Sequence, residues 1–220
     1  NHDGAPSGTG NFNTYFGSRI SGQTTYAGRP VGASDYDNTY ATFSASGMDF
    51  IVLFIEYDDS MNSTSNPILV WADGLLAANP TRRAIVVTHN LLSGNNLTAQ
   101  GQAIYDALKD QPNLFLMLGG HLDETGQNSF VYEGRTVYAL RSDYQFIDSQ
   151  QSGYLRIMRF SPANDMIYVT TYSPNQAAYR TINNNAFDLA YDMDGPVPFA
   201  WIGSTTGSSG ANTTVNWRGL

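Results

Sequence analysis

Ala84-Ile85-Val86-Val87-Thr88-His89 is a short apolar run, rich in β-branched residues, that ends on a histidine. Leu114-Phe115-Leu116-Met117-Leu118-Gly119-Gly120-His121 repeats the pattern thirty residues later. Both runs read as buried strands, so His89 and His121 are expected to emerge at strand ends, where α/β sheets build their sites. A third run, Phe50-Ile51-Val52-Leu53-Phe54-Ile55, has the same buried character and lacks only the histidine.

Working outward, Thr39 to Ser44 and Met48 to Glu56 flank Ala45-Ser46-Gly47 in hairpin fashion. Pro67 is placed to open a helix running to about Ala78, with Ile68, Leu69, Trp71, Leu75 and Leu76 on its apolar face. A second helix spans Thr98 to Asp110, with Thr98 as N-cap and Ile104, Ala107 and Leu108 turned to the sheet. Strand, helix, strand, helix, strand is the order up to His121. Beyond it the pattern becomes antiparallel β. Asn128–Tyr132 and Thr136–Leu140 flank Glu133-Gly134-Arg135, and Tyr154–Phe160 and Met166–Tyr172 flank a turn at Pro162. Residues 1–38, rich in Gly, Asn, Ser and Tyr, read as a long loop over a site, anchored by Tyr15, Phe16 and Tyr26.

The chain has 220 residues, 41% hydrophobic and 13% aromatic, enough for one sizeable core. Cysteine is absent, which excludes disulfides, thiolate nucleophiles and Cys-based zinc sites. The net charge of −8 argues against a nucleic-acid scaffold, since backbone binding needs a basic surface. No apolar stretch reaches the roughly 20 residues of a membrane span. The surface relies on neutral polar groups, as in secreted bacterial enzymes. The acidic pairs Asp58-Asp59 and Asp192 with Asp194 read as solvated surface rather than calcium ligands.

The chain has three histidines, and the third lies in Asn1-His2-Asp3. Imidazole, carboxylate and amide oxygen suit Zn, Fe and Mn, and such ions make water a competent nucleophile near neutral pH. Asn1, His89 and His121 are therefore candidate metal ligands, with Asp123 as a possible addition. The alternative for each is an ordinary polar residue on a loop.

In order, Asn1-His2-Asp3, Val87-Thr88-His89 and Gly120-His121-Leu122-Asp123 resemble the third, fourth and fifth motifs of the calcineurin-like metallophosphoesterases. The likeness covers roughly residues 1–192 and is to the C-terminal part of a secreted member. It implies a partial four-layer αββα sandwich within the α/β (α+β) class, with an antiparallel β-rich C-terminal half. It implies that Asn1, His89 and His121 bind one ion of a binuclear Mn, Fe or Zn pair. His2 would protonate the leaving group of a small phosphate ester, with Asp3 orienting the imidazole.

Two departures matter. The D-x-H and G-D-x-x-[DE] motifs, which supply the other ion's ligands, do not occur, and Asp123 stands where the family has its last histidine. The pair is binuclear only if the missing ligands are supplied, for example by an associated upstream chain fragment. The isolated chain is thus expected to be an incomplete or inactive phosphoric mono- or diesterase. The alternative is a non-catalytic secreted binding or structural module of the same descent. An open sheet edge would favour self-association. Residues 193–220 form a linker and then Phe199-Ala200-Trp201-Ile202-Gly203 and Thr213-Thr214-Val215-Asn216-Trp217, which resemble the first strands of a fibronectin type III-like module. The alternative is a structured tail.

Overall fold

The computed structural model describes residues 10–20, 26–28, 36–122, 124–147 and 152–195. In chain order the elements are α1 (Gly10–Ile20), β1 (Tyr26–Gly28), β2 (Thr39–Ala45), β3 (Met48–Ile55), α2 (Pro67–Ala77), β4 (Arg83–Thr88), β5 (Leu92–Ser93), β6 (Asn96–Leu97), α3 (Ala99–Leu108), β7 (Leu114–Gly119), β8 (Glu124–Tyr132), β9 (Arg135–Asp143), β10 (Leu155–Ser161), β11 (Met166–Ser173), β12 (Ala178–Arg180) and β13 (Phe187–Ala190). The fold is mixed α/β and rich in strand.

Strands β1 to β4 and β7 to β9 form one sheet in the order β1-β2-β3-β4-β7-β9-β8, and β10 to β13 form another around β11. The apolar runs at β3, β4 and β7 are parallel neighbours at its centre, and β9 joins β7 in parallel as well. They are continuously apolar because both faces are covered. On one face Ile51, Leu53, Ala84, Val86 and Met117 pack with Leu69 and Leu76 of α2 and Ile104 and Leu108 of α3. On the other, Phe50, Ile85, Phe115, Leu116 and Leu140 pack with Ile167, Val169 and Leu189 of the second sheet. The described residues therefore make three layers: helices, central sheet, second sheet.

Local chemistry sets the boundaries. Ser46 and Gly47 both take positive φ, 51° and 80°, between the paired Ala45 and Met48, and Glu133 and Gly134 do the same between Tyr132 and Arg135. Such two-residue turns match the twist of the strands they join. Asn66 caps α2 by accepting from the Ile68 N–H at 2.9 Å, with Pro67 next. Thr98 caps α3 by accepting from the Gly101 N–H at 3.0 Å, as expected.

The N-terminal expectation needs correction. Gly10–Ile20 is a helix rather than loop, and Asn13 ties it down by donating to Asp37 at 2.6 Å and accepting from the Tyr36 N–H at 3.0 Å. These are long-range side-chain contacts that composition does not reveal. Tyr15 and Phe16 are 70% and 50% exposed, so neither anchors the segment. The side chain of Tyr26 lies outside the described residues. So do residues 196–220, with the fibronectin-like stretch. Among the described residues no helix is long and apolar enough to cross a membrane.

Candidate functional site

Because β3, β4, β7 and β9 run in parallel, their C-terminal ends share one edge, and the loops that follow carry Tyr57, His89, His121 and Tyr144 to it. His89 and His121 meet there, with ring centroids 4.7 Å apart and planes at 55°. The Gly120 N–H donates to the His89 carbonyl at 2.9 Å and ties the two loops together.

The backbone at His121 is unusual. Its φ is 71°, and the Leu122 N–H donates to the Gly120 carbonyl at 2.9 Å across it. This is the rare, strained γ-turn of positive φ, which folds the chain back sharply as it leaves β7.

His89 is set from both sides. Thr98 Oγ1 donates to the Asn90 carbonyl at 2.8 Å, and the Thr98 N–H donates to the Leu91 carbonyl at 3.0 Å, so the cap of α3 also holds the loop after His89. Leu91 is fully buried, wedged between two glycines: a Cβ on Gly101 would lie 2.3 Å from its carbonyl oxygen, and one on Gly119 would lie 2.5 Å from its Cβ. Only glycine fits at either place. The neighbouring loop is fixed too, since buried Gln100 donates to the Glu56 carbonyl at 2.6 Å and Asn38 accepts from the Glu56 N–H at 3.1 Å.

Two imidazoles sharing one ion at about 2.0–2.1 Å would have ring centres roughly 4.5–5.2 Å apart, for angles at the ion from square to tetrahedral. The observed 4.7 Å fits that spacing. Among the described residues no group of three or more His, Cys, Asp or Glu side chains gathers, so the two histidines are a pair without a described third ligand of those types. The other site residues expected from sequence, Asn1, His2, Asp3 and Asp123, lie outside the described residues.

Beside the pair opens a shallow cavity of about 410 Å³, lined by His89, His121, Asp143, Tyr144, Ser152 and Tyr154 among others. Tyr144 is fixed from behind, its hydroxyl 3.0 Å from both Thr171 Oγ1 and Asn185 Oδ1. Beneath the site Arg156 reaches the carbonyls of Arg141 and Asn184, at 3.3 and 2.8 Å. Burial lowers its pKa, with Tyr144 opposing.

Sequence reasoning missed Tyr57. Its ring centroid stands 5.6 Å from that of His89 and 5.1 Å from that of His121. The Asp59 carboxylate beside its hydroxyl raises the phenol's pKa by hydrogen bonding, with burial adding. The signal was available: Tyr57 follows Phe50–Ile55 as His89 follows its own apolar run.

No protein-family model matches the chain. It is similar to the uncharacterized protein YvnB of Bacillus subtilis strain 168, at 30% identity over 201 residues, which takes in 83% of this chain. The chain spans 15% of that relative's length. Among solved structures it is similar to GAP50, the anchor in the inner membrane complex of Plasmodium, with 13% identity, a TM-score of 0.43 and coverage of 72% of this chain and 55% of that one. A likeness so low bears on neither fold nor activity.

Proposed function

We propose that the chain carries the C-terminal part of a calcineurin-like metallophosphoesterase domain, which hydrolyses phosphoric mono- or diesters once its site is complete. The observation that carries this reading is the meeting of His89 and His121 on adjacent parallel strand ends, 4.7 Å between ring centroids, one of them at a γ-turn. Strain held at a strand end is a reason to look for function there.

In this reading His89 and His121 hold a divalent Mn, Fe or Zn ion, with Asn1 and, by its carboxylate, Asp123 completing the shell. The ion supplies charge to the phosphoryl oxygens and an acidified water. His2 holds a proton at its imidazole for the departing alkoxide, and Asp3 orients the ring. A second ion requires ligands beyond those that these three motifs supply. A fourth layer of helices would then complete the αββα sandwich, and the protein would be a secreted bacterial one, with the fibronectin-like segment following. A second reading is a non-catalytic secreted module of the same descent.

Elemental analysis with intact mass on one purified sample, alongside hydrolysis of bis(p-nitrophenyl) phosphate, tests both readings. Two ions per protomer would mean that the other ion's ligands are present in a longer or associated chain, and metal and activity should then be lost together in His89→Ala and in His121→Ala. Full metal-dependent activity in His89→Ala refutes the site. One ion or none, without hydrolysis, moves the non-catalytic reading ahead.

A further inference from the structure

The two histidines share a third aromatic neighbour, and it belongs to neither of their strands. Tyr57 leaves the end of β3 and sets its ring 5.6 Å from His89 and 5.1 Å from His121, while those two stand 4.7 Å from each other. Three rings at such mutual distances form a closed triangle, each within the range where aromatic pairs attract. Tyr57 packs edge-on to His89 at 73° and tilted to His121 at 39°, so it constrains the two imidazoles from different directions.

Its placement separates this role from substrate contact. Both imidazoles line the 410 Å³ cavity, whereas Tyr57 is not among the residues that line it. The tyrosine therefore touches both imidazoles without lining that opening. Its own position is held by the loop it starts: Glu56 is fixed by Asn38 and Gln100, and Met61, whose N–H donates to the Asp58 carbonyl at 3.0 Å, is fully buried.

We infer that Tyr57 is a positioning residue, an aromatic bracket that fixes the rotamers of His89 and His121 so that the pair faces the cavity ready to share one divalent cation. The metal half of this inference rests on the reading of the site given above; the bracket itself does not. The ring performs the work, so phenylalanine should replace tyrosine there.

The test uses the full chain, with zinc(II) as the probe and imidazole resonances read by proton–carbon NMR. Tyr57→Ala should move the resonances of both His89 and His121, broaden them, and weaken zinc binding about tenfold, the lower end of what an outer-shell change costs a metal site, while Tyr57→Phe stays within about threefold. Tyr57→Leu, which keeps apolar bulk without a ring, repeats the experiment should the alanine variant unfold, and is expected to behave as alanine does. Unmoved resonances in the alanine or leucine variant overturn the bracket, whatever the zinc result. Equal damage from phenylalanine and alanine also overturns it, because the hydroxyl and Asp59 would then be responsible. Failure of the unsubstituted chain to bind zinc defeats the metal half, while the resonances still decide the bracket.

Discussion

Gly119→Ala should be among the most damaging small substitutions in the chain, and its damage should reach His89. Gly119 has no positive φ, so alanine adds no backbone strain, and the effect is one of space alone. The new Cβ would stand 2.5 Å from Leu91 Cβ, 3.3 Å from the Leu91 nitrogen and 3.4 Å from the Thr88 carbonyl oxygen. Carbon atoms prefer about 3.5–4.0 Å, so the strand end and the Leu91 backbone must part by about 1 Å. Leu91 is fully buried and cannot simply swing aside. Overpacking of this kind costs about 1–3 kcal/mol, and for a chain of this size each kcal/mol lowers Tm by about 2–4 °C. Gly120→Ala is the control, since its Cβ would meet nothing closer than the Ser142 carbonyl oxygen at 3.7 Å. Urea unfolding should separate the two variants by at least 1 kcal/mol, roughly the floor of the overpacking range, and imidazole NMR should show His89 displaced only in Gly119→Ala. Two variants of equal stability, with His89 unmoved in both, would refute the account of how the loop is wedged.

At the opposite end of β4, buried Arg83 donates to the Tyr191 hydroxyl at 2.9 Å and to the carbonyls of Asp192, Met193 and Gly195 at 3.2, 2.8 and 2.9 Å. Arg83→Lys keeps the charge but loses the planar fork, and should cost about 1–3 kcal/mol in urea unfolding through carbonyls left without a donor; a loss below half a kcal/mol, taken as roughly the scatter of surface changes, would contradict this. On α3, hydrogen bonds from Lys109 and then Gln102 lower the pKa of Asp106 below its ordinary 3.8. A depressed folded-state pKa means stability that is present above the unfolded value and disappears as pH falls through the folded one. The carboxylate is 35% exposed, so the contribution is small. Asp106→Asn should lose about 0.3–0.5 kcal/mol at pH 7, and the difference from the native chain should vanish in acid below the ordinary carboxylate range. A difference that persists there would show that the pair's charge is not its cause.

Much of the frame could be read from residues because its signals are local. The hairpin at Ser46-Gly47, the Pro67 start of α2 and the Thr98 cap are each written in a few adjacent side chains. Strands β8 and β9 run further than expected, from Glu124 and to Asp143, because their outer halves are polar and are held by pairing such as Thr125 with Ser142 rather than by apolar burial. Strand order was not legible at all. β9, not its predecessor β8, lies against β7, and nothing in either sequence names that neighbour. Strand-end position and residue type singled out His89 and His121 as candidates, and the structure brings their rings together at one sheet edge. Tyr57 escaped because tyrosine is ordinary in so aromatic a chain, although it follows an apolar run as His89 does, and the ring distances single it out.

The two ends of the parallel strands divide the labour between them. At the C-terminal edge each loop is fixed by contacts to an element distant in sequence: Gln100 to Glu56, Thr98 to Asn90, Gly120 to His89. These contacts secure the backbone that carries the imidazoles, Tyr57 and Tyr144. At the N-terminal edge Arg83 is spent wholly on backbone carbonyls and one phenol, closing the chain's return from β13. Substitutions at the two edges share no hydrogen-bond partner, so their effects on stability should add. It follows that Arg83→Lys should lower stability while leaving the His89 and His121 resonances in place, whereas Gly119→Ala should disturb both. The pair of results, taken in one chain, separates a structural clamp from a site support more sharply than either loss of stability can.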